Sequence, residues 1–165
     1  MSKVTPATMA LQKAGVAFTL HEYAYDLNAT RIGLQAAEAL GIAPERLLKT
    51  LMAKAGAEVV CVLVASDREV SLKRLAAAAG AKDAAMLAPH EAERVTGYHV
   101  GGISPLGQRR TVRTFVDAPA LAFATVLVNG GGVSTLVNRI STLVGDFSAG
   151  KPPHVVFDVL GKRRT

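Results

Sequence analysis

The stretch KTLMAKAGAEVVCVLVA, residues 49–65, decides the fold class of this chain. Two apolar segments, residues 49–54 and 58–65, flank a short turn at residues 55–57, which is the pattern of a β-hairpin. The second segment is apolar almost throughout, as expected of a central strand that is covered on both faces. Because a hairpin pairs its two strands antiparallel, this stretch argues against an all-parallel sheet.

Helices and further strands are predicted on both sides of the hairpin. Capping residues and apolar spacing predict helices at residues 5–15, 30–40 and 71–79, and from Pro89 onward. Apolar segments bounded by turn residues predict strands at residues 17–24, 112–117 and 124–129. The mixture predicts an α+β domain in which helices flank a central mixed, largely antiparallel sheet.

The pattern changes after Gly132. Apolar residues are spaced there as on one face of an amphipathic helix, which predicts a helix that contains Leu136, Val137, Ile140, Leu143 and Val144. The segment HVVFDVL, residues 154–160, predicts an edge strand. We therefore divide the chain into a domain at residues 5–132 and an atypical basic segment at residues 133–165. That segment is either a divergent end of the same domain or the product of a changed reading frame.

Size and composition exclude several classes of protein. The 165 residues suit one domain, and a chain that is 50% hydrophobic and 19% charged is not disordered. A single cysteine excludes a disulfide framework and a CxxC metal site. The sequence lacks both a run of about 20 apolar residues and the apolar core of a signal peptide, so the cytoplasm is the expected compartment. The net charge of +6 permits contact with RNA without requiring it.

Familiar catalytic motifs are incomplete in this sequence. Cys61 lies inside the apolar run VVCVLV, where we expect a buried packing residue rather than a nucleophile. His90 begins a segment like the HExxH zinc motif, but Arg94 occupies the place of the second histidine. Ser104 is followed by Pro105 and Leu106, so it does not form a GxSxG nucleophile motif. We expect neither a metal nor another cofactor.

Two glycine-rich segments are candidates for a binding site. The segment GYHVGGISPLG, residues 97–107, fits either a tight turn or a stiff loop whose backbone amides hold a carbonyl oxygen or a phosphate. The segment NGGG, residues 129–132, fits either a simple turn or a second wall of a pocket. Arg109, Arg110 and Arg113 after the first segment fit a solvated basic face or a contact to RNA phosphates.

Several of these segments together resemble one family. The matching residues are Thr5-Pro6-Ala7, Leu48-Lys49-Thr50-Leu51, Ser71-Leu72-Lys73, Gly80-Ala81-Lys82, Thr96-Gly97-Tyr98, the GGISPLG run at 101–107, Val116-Asp117-Ala118 and Asn129-Gly130-Gly131. They resemble the YbaK/prolyl-tRNA synthetase-associated editing domains, and the Cys-tRNA(Pro) deacylase branch most of all. The likeness spans residues 5 to about 131.

The resemblance implies a single YbaK-like editing domain that hydrolyses mischarged aminoacyl-tRNA in trans. The implied substrate is tRNA(Pro) charged with cysteine, with prolyl-tRNA synthetase as a partner and neither DNA nor a membrane. Such editing is needed because a pocket that accepts proline separates cysteine or alanine from it by only about 1–3 kcal/mol. In the cysteine-specific branch, the thiol of the substrate attacks its own ester carbonyl and forms a cyclic thiolactone.

The same resemblance assigns the site residues. Lys49 matches the family's lysine, which implies a catalytic role in contact with the terminal adenosine phosphate or the ester carbonyl; on spacing alone it is a solvated strand-end lysine. The aminoacyl group is expected against the backbone of Gly101, Gly102, Ile103, Ser104 and Pro105. The facing wall is expected from Asn129, Gly130 and Gly131, with Tyr23, otherwise a packing residue, at the entrance. The family's late aspartate has no counterpart in residues 133–165.

Two other functions stay open at this stage. The branch that acts on Ala-tRNA(Pro) shares the architecture, but alanine has no thiol, so water must attack the ester. The unusual C-terminal segment also fits a catalytically weak module that binds RNA or a synthetase. Release of cysteine and alanine separates the first two functions, and tight tRNA binding without ester loss indicates the third.

Overall fold

The computed structural model describes residues 4–13, 15, 18–22, 32–123, 126–132, 135–138 and 156–157. The α-helices of this part are α1 (Pro6–Lys13), α2 (Ile32–Leu40), α3 (Leu72–Ala79) and α4 (Pro89–Thr96). The strands are β1 (Thr19–Glu22), β2 (Leu48–Ala55), β3 (Glu58–Ala65), β4 (Ala84–Met86), β5 (Arg113–Asp117), β6 (Leu127–Asn129), β7 (Thr135–Asn138) and β8 (Val156–Phe157). Short 3-10 helices occupy Pro44–Arg46 and Ala118–Ala122.

The strands form two sheets. The larger sheet has the order β4-β2-β3-β5-β8, and the smaller one has the order β1-β7-β6. In the larger sheet β2 pairs antiparallel with β3 and β4, whereas β3–β5 and β5–β8 are parallel. The smaller sheet is antiparallel. The predicted α+β class, with a mixed and largely antiparallel sheet, is therefore confirmed.

The predicted hairpin is the centre of the larger sheet. Strands β2 and β3 pair along their whole length, from Leu48 opposite Ala65 to Ala55 opposite Glu58. Gly56 makes the turn with a φ of 61°, a conformation that glycine adopts without steric cost. Residues 60–64 of β3 are fully buried, since apolar clusters cover this strand on both faces.

The alternation of side chains assigns each face of β2 to a different cluster. Leu48 and Met52 belong to the cluster that includes Ala7 and Leu11 of α1. Ala53 belongs to the cluster that includes Leu75 of α3. The sheet is thus sandwiched between helices, and any residue of β2 can be assigned to a face by its position.

The ends of α3 agree with the sequence prediction. The Ser71 hydroxyl accepts the Arg74 N–H at 3.3 Å as the N-cap, and Gly80 ends the helix with a φ of 74°.

Among the described helices, none has the length and apolar character needed to cross a bilayer.

The helix predicted near Leu136 is wrong over the described residues 135–138, which form strand β7. This strand pairs with β1, where Leu136 lies opposite His21, and with β6, where Val137 lies opposite Val128. Apolar spacing over so few residues fits either structure, and pairing on both edges satisfies the backbone of a strand. The rest of the predicted helix lies outside the described residues. At Val156–Phe157 the predicted edge strand is confirmed as β8.

Candidate functional site

The first glycine-rich segment, residues 97–107 and from here the glycine loop, is closed by its own hydrogen bonds. The buried Tyr98 hydroxyl donates to the Leu106 carbonyl at 2.6 Å, and the Leu106 N–H donates to the Ser104 Oγ at 3.1 Å. The Gly102 N–H donates to the His99 carbonyl at 2.9 Å. These bonds make the loop a stiff turn rather than an open chain.

Burial decides what each predicted loop residue can do. Ser104 is 0% exposed and its hydroxyl forms the turn to Leu106, so this side chain is not placed as a nucleophile. The Ile103 side chain packs into the core, which leaves only its backbone for a ligand. Within the described part of the chain, no backbone hydrogen bond occupies the amide of Ile103, a residue that is 8% exposed. This amide can receive a carbonyl oxygen.

The glycine loop is fastened to the hairpin by Gln108. Its amide nitrogen donates to the Ser104 carbonyl at 3.0 Å and lies 3.6 Å from the Met52 sulfur and 3.8 Å from the Cys61 sulfur. Burial raises the pKa of Tyr98 to about 12, so its phenol stays neutral and remains a donor to the loop at physiological pH. The loop is therefore held on the face of β2 to which Met52 belongs.

The second glycine-rich segment packs directly against the first. The Asn129 Oδ1 accepts the N–H groups of Gly131 at 2.7 Å and Gly132 at 3.1 Å, which closes a tight turn after β6. Gly131 has a φ of 96°, and a Cβ there would lie 2.9 Å from the Tyr98 ring and 3.0 Å from the Thr5 Cβ. The two predicted walls, Gly101–Pro105 and Asn129–Gly131, thus meet through Tyr98.

Thr5 joins this turn to helix α1. Its Oγ accepts the Thr8 N–H at 3.1 Å as the N-cap and donates to the Gly130 carbonyl at 2.6 Å.

We expect Thr5→Ala to lower the free energy of unfolding by about 1–2 kcal/mol because both bonds are lost. Thr5→Ser keeps the hydroxyl and should lose less than half as much in urea unfolding. Equal losses in the two variants would show that the methyl group matters and the hydroxyl does not.

Lys49 lies on the opposite face of β2 from the side chains that anchor the glycine loop. It pairs with Val64 and is half-buried, on the face of Leu51 and Ala53. The parallel bridge between Leu47 and Leu127 sets β6 beside the start of β2. Lys49 lies two residues after Leu47, and Asn129 lies two residues after Leu127. Each side chain is therefore on the same side of its strand as the bridged residue before it. Lys49 therefore lies at the part of β2 that is next to β6, whereas the anchors of the first wall lie on the other face of the sheet.

Four further residues bear on the site. Tyr23 lies outside the described residues, so its predicted place at the entrance stays a prediction. Arg109 and Arg110 are exposed and hydrogen-bond through their backbone to Thr96 and Val95, beside the glycine loop. Asp117 was given no role from the sequence, yet it is 2% exposed at the end of β5. A single acid that closes an apolar parallel strand, as in TFVDA, is the signal for such a residue.

Cys61 is confirmed as a buried packing residue. It is 0% exposed, and burial raises the pKa of its thiol to about 12, which keeps it protonated and unreactive.

We expect iodoacetamide to label Cys61 at least about a hundredfold more slowly in the native protein than in urea. Rapid labelling of the native protein, measured by mass spectrometry, would contradict this burial.

Among the described residues, no three acidic, histidine or cysteine side chains gather into a metal-binding group.

Comparison of the sequence with known proteins found a matching family model and several relatives. A family model described as "Aminoacyl-tRNA editing domain" matches residues 30–143. The chain is 32% identical over 133 residues to a protein of Enterococcus faecalis, covering 77% of each, that is named "Putative Cys-tRNA(Pro)/Cys-tRNA(Cys) deacylase EbsC". It is 31% identical over 102 residues to a proline–tRNA ligase of Nitratidesulfovibrio vulgaris, covering 62% of this chain and 18% of the ligase.

Solved structures show the same fold. A protein described as "a putative trans-editing enzyme for prolyl tRNA synthetase" superposes with a TM-score of 0.78 at 20% identity, covering 99% of this chain and 100% of that one. A second crystal structure, of the hypothetical protein APE2540, superposes with a TM-score of 0.77 at 22% identity, covering 92% of this chain and 97% of that one. At these identities the likeness establishes the fold.

Proposed function

Because this chain belongs to the aminoacyl-tRNA editing domain family, we propose that it is an aminoacyl-tRNA deacylase that removes cysteine from Cys-tRNA(Pro) in trans. The printed name of its Enterococcus relative supports cysteine as the amino acid, and the likeness to proline–tRNA ligases supports tRNA(Pro). The protein would work in the cytoplasm, where prolyl-tRNA synthetase makes the mischarged tRNA and is a partner.

One observation carries the choice of mechanism. Ser104 and Cys61, which were weighed as nucleophiles from the sequence, are both 0% exposed, and the Ser104 hydroxyl is hydrogen-bonded within the loop. Beside Ser104 in the loop is the backbone amide of Ile103, which is suited to a carbonyl oxygen. A site of this kind positions an ester and stabilises charge, and the nucleophile then comes from the substrate or from water.

The chemistry of cysteine supplies that nucleophile. The thiol sulfur attacks the carbonyl carbon of its own ester, a carbon–sulfur bond forms, and the bond from that carbon to the ribose oxygen breaks. The thiol proton ends on the ribose oxygen, and the products are free tRNA and a cyclic thiolactone, which water then opens to cysteine. The amide of Ile103 would stabilise the oxygen that becomes negative during the attack.

The remaining residues would place the substrate. The Lys49 ammonium would contact the terminal adenosine phosphate or the ester as a charge-assisted donor. Gly101, Gly102 and Pro105 would shape the loop so that the aminoacyl group reaches this amide of Ile103. The turn of residues 129–131 would form the facing wall, and Tyr23 would line the entrance.

The test is release of labelled amino acid from Cys-tRNA(Pro), with Ala-tRNA(Pro), Pro-tRNA(Pro) and Ser-tRNA(Pro) alongside. We expect rapid loss of cysteine alone, because serine has the same shape but a hydroxyl far less acidic than a thiol. Loss of alanine at a similar rate would overturn the thiol-assisted mechanism and indicate attack by water. Loss of none of the four from a folded protein that still binds tRNA would indicate a binding module.

A further inference from the structure

Two residues of opposite charge lie in one row of the larger sheet. Lys49 of β2 is directly opposite Val64 of β3. The parallel register of β3 and β5 pairs Leu63 with Val116, so the next residue of β5, Asp117, lies beside Val64. Residues in one row of a sheet point to the same face, so Lys49 and Asp117 stand on either side of Val64 on that face.

The surroundings of this row are mainly apolar, apart from the buried Ser66, whose hydroxyl donates to the Leu47 carbonyl. The neighbouring row consists of Leu51, Val62 and Phe115, which belong to the cluster that includes Leu75 of α3. On the other side, Leu47 packs with Ala37 of α2. Asp117 is 2% exposed, and its side chain makes no capping hydrogen bond to the 3-10 helix that follows. A carboxylate buried among apolar side chains is costly unless it is paired with a cation.

The spacing of the strands allows the pair to form. Adjacent strands are about 4.8 Å apart, so residues two strands apart in one row have Cα atoms roughly 9–10 Å apart. A lysine bends its methylene stem along apolar surface while its ammonium reaches a polar partner. Across Val64, which is fully buried, the Lys49 stem can bring its ammonium to the Asp117 side.

We propose that Asp117 is a positioning residue, which holds the Lys49 ammonium across Val64 and thereby fixes where this cation meets the substrate. Its effect on turnover rests on the proposed function, whereas the pairing itself does not. Two arginines are compared with Lys49. Arg113 shares the face but binds Glu58 at 2.9 Å and the Ala79 carbonyl at 3.0 Å. Arg46 lies in the 3-10 helix before β2 and serves as a comparison.

The first test needs no RNA. Lysines are modified by reductive methylation in the wild type, Asp117→Asn, Arg46→Gln and, as the control, Asp67→Asn, which changes an exposed carboxylate in the same way. Mass spectrometry then gives the rate at Lys49 relative to the exposed Lys54 of the same strand. We expect about a tenfold faster rate at Lys49 in Asp117→Asn only. An unchanged rate there, or an equal increase in Arg46→Gln, would overturn the pairing.

A second variant covers the case in which Asp117→Asn does not fold. Lys49→Met/Asp117→Asn removes the cation together with the carboxylate, so it should fold, because no unpaired charge is left in the apolar layer. A double variant that also fails to fold would overturn the proposal, since the defect would then not depend on Lys49.

The last test separates positioning from a structural role. On Cys-tRNA(Pro), Asp117→Asn should lower kcat about tenfold with KM within about twofold, and it should add nothing further in a Lys49→Ala background. A loss that is equal in both backgrounds would overturn the positioning role. A wild type that releases no cysteine would contradict the proposed function instead, and the methylation rates would still decide the pairing.

Discussion

Lys49→Ala is expected to lower the rate of cysteine release from Cys-tRNA(Pro) by at least about a hundredfold, the usual scale for the loss of a charged group that acts in the transition state. Lys49 is half-buried on β2, two residues after Leu47, which is bridged to Leu127 of β6. A cation held there acts in a medium of low dielectric, where its attraction to a phosphate or a developing oxyanion is stronger than in water.

The measurement is a single-turnover assay with enzyme in excess, so that chemistry is separated from release of the product. Lys54→Ala is the matched control, because Lys54 is an exposed lysine on the same strand. Both variants should keep the circular dichroism spectrum of the wild type, and Lys54→Ala should also keep its urea midpoint. The urea midpoint of Lys49→Ala should fall, because this variant removes the cation proposed to pair with the buried Asp117. Wild-type activity in Lys49→Ala would remove this residue from the mechanism, and an equal loss in Lys54→Ala would point to a general effect of charge.

Gly107→Ala is expected to have the largest effect on stability, a loss of about 3 kcal/mol or more in the free energy of unfolding. Gly107 has a φ of 65°, and a Cβ there would run into the backbone of helix α1, 2.6 Å from the carbonyl carbon of Pro6 and 3.0 Å from the nitrogen of Ala7. Because the obstacle is backbone rather than a flexible side chain, either the helix or the glycine loop must shift.

Gly80→Ala is the control for this variant. Gly80 has a similar φ of 74°, but a Cβ there would meet nothing within 4 Å, so only the backbone strain of about 1–2 kcal/mol applies. Urea unfolding of the two variants gives the difference that is due to the contact with α1. Equal losses would mean that the start of α1 yields without cost. If Gly107→Ala is folded, a loss of cysteine release would show that the position of the loop matters for function.

Apolar segments together with turn and capping residues made most of the helices and strands predictable from the sequence. The hairpin follows from two apolar segments around Gly56, and α3 follows from Ser71 and Gly80 at its ends. The resemblance to YbaK-type editing domains is likewise confirmed by the family that matches residues 30–143. The division of the chain at residue 132 stays a prediction, as do the roles of the site residues. The helix near Leu136 was wrong because that segment pairs on one edge with β1, which is far away in the sequence, and on the other with the preceding strand β6.

Sequence alone determined the fold class, the family and the inertness of Cys61, because each depends on neighbouring residues or on a continuous motif. Only the tertiary structure decided that Lys49 and the anchors of the glycine loop belong to opposite faces of the hairpin, that Tyr98 joins the two glycine-rich walls, and that Asp117 shares a row with Lys49. The physical reason is register. A shift of one residue in strand pairing moves a side chain to the other face of the sheet, and register between distant strands is set by packing rather than by any local pattern.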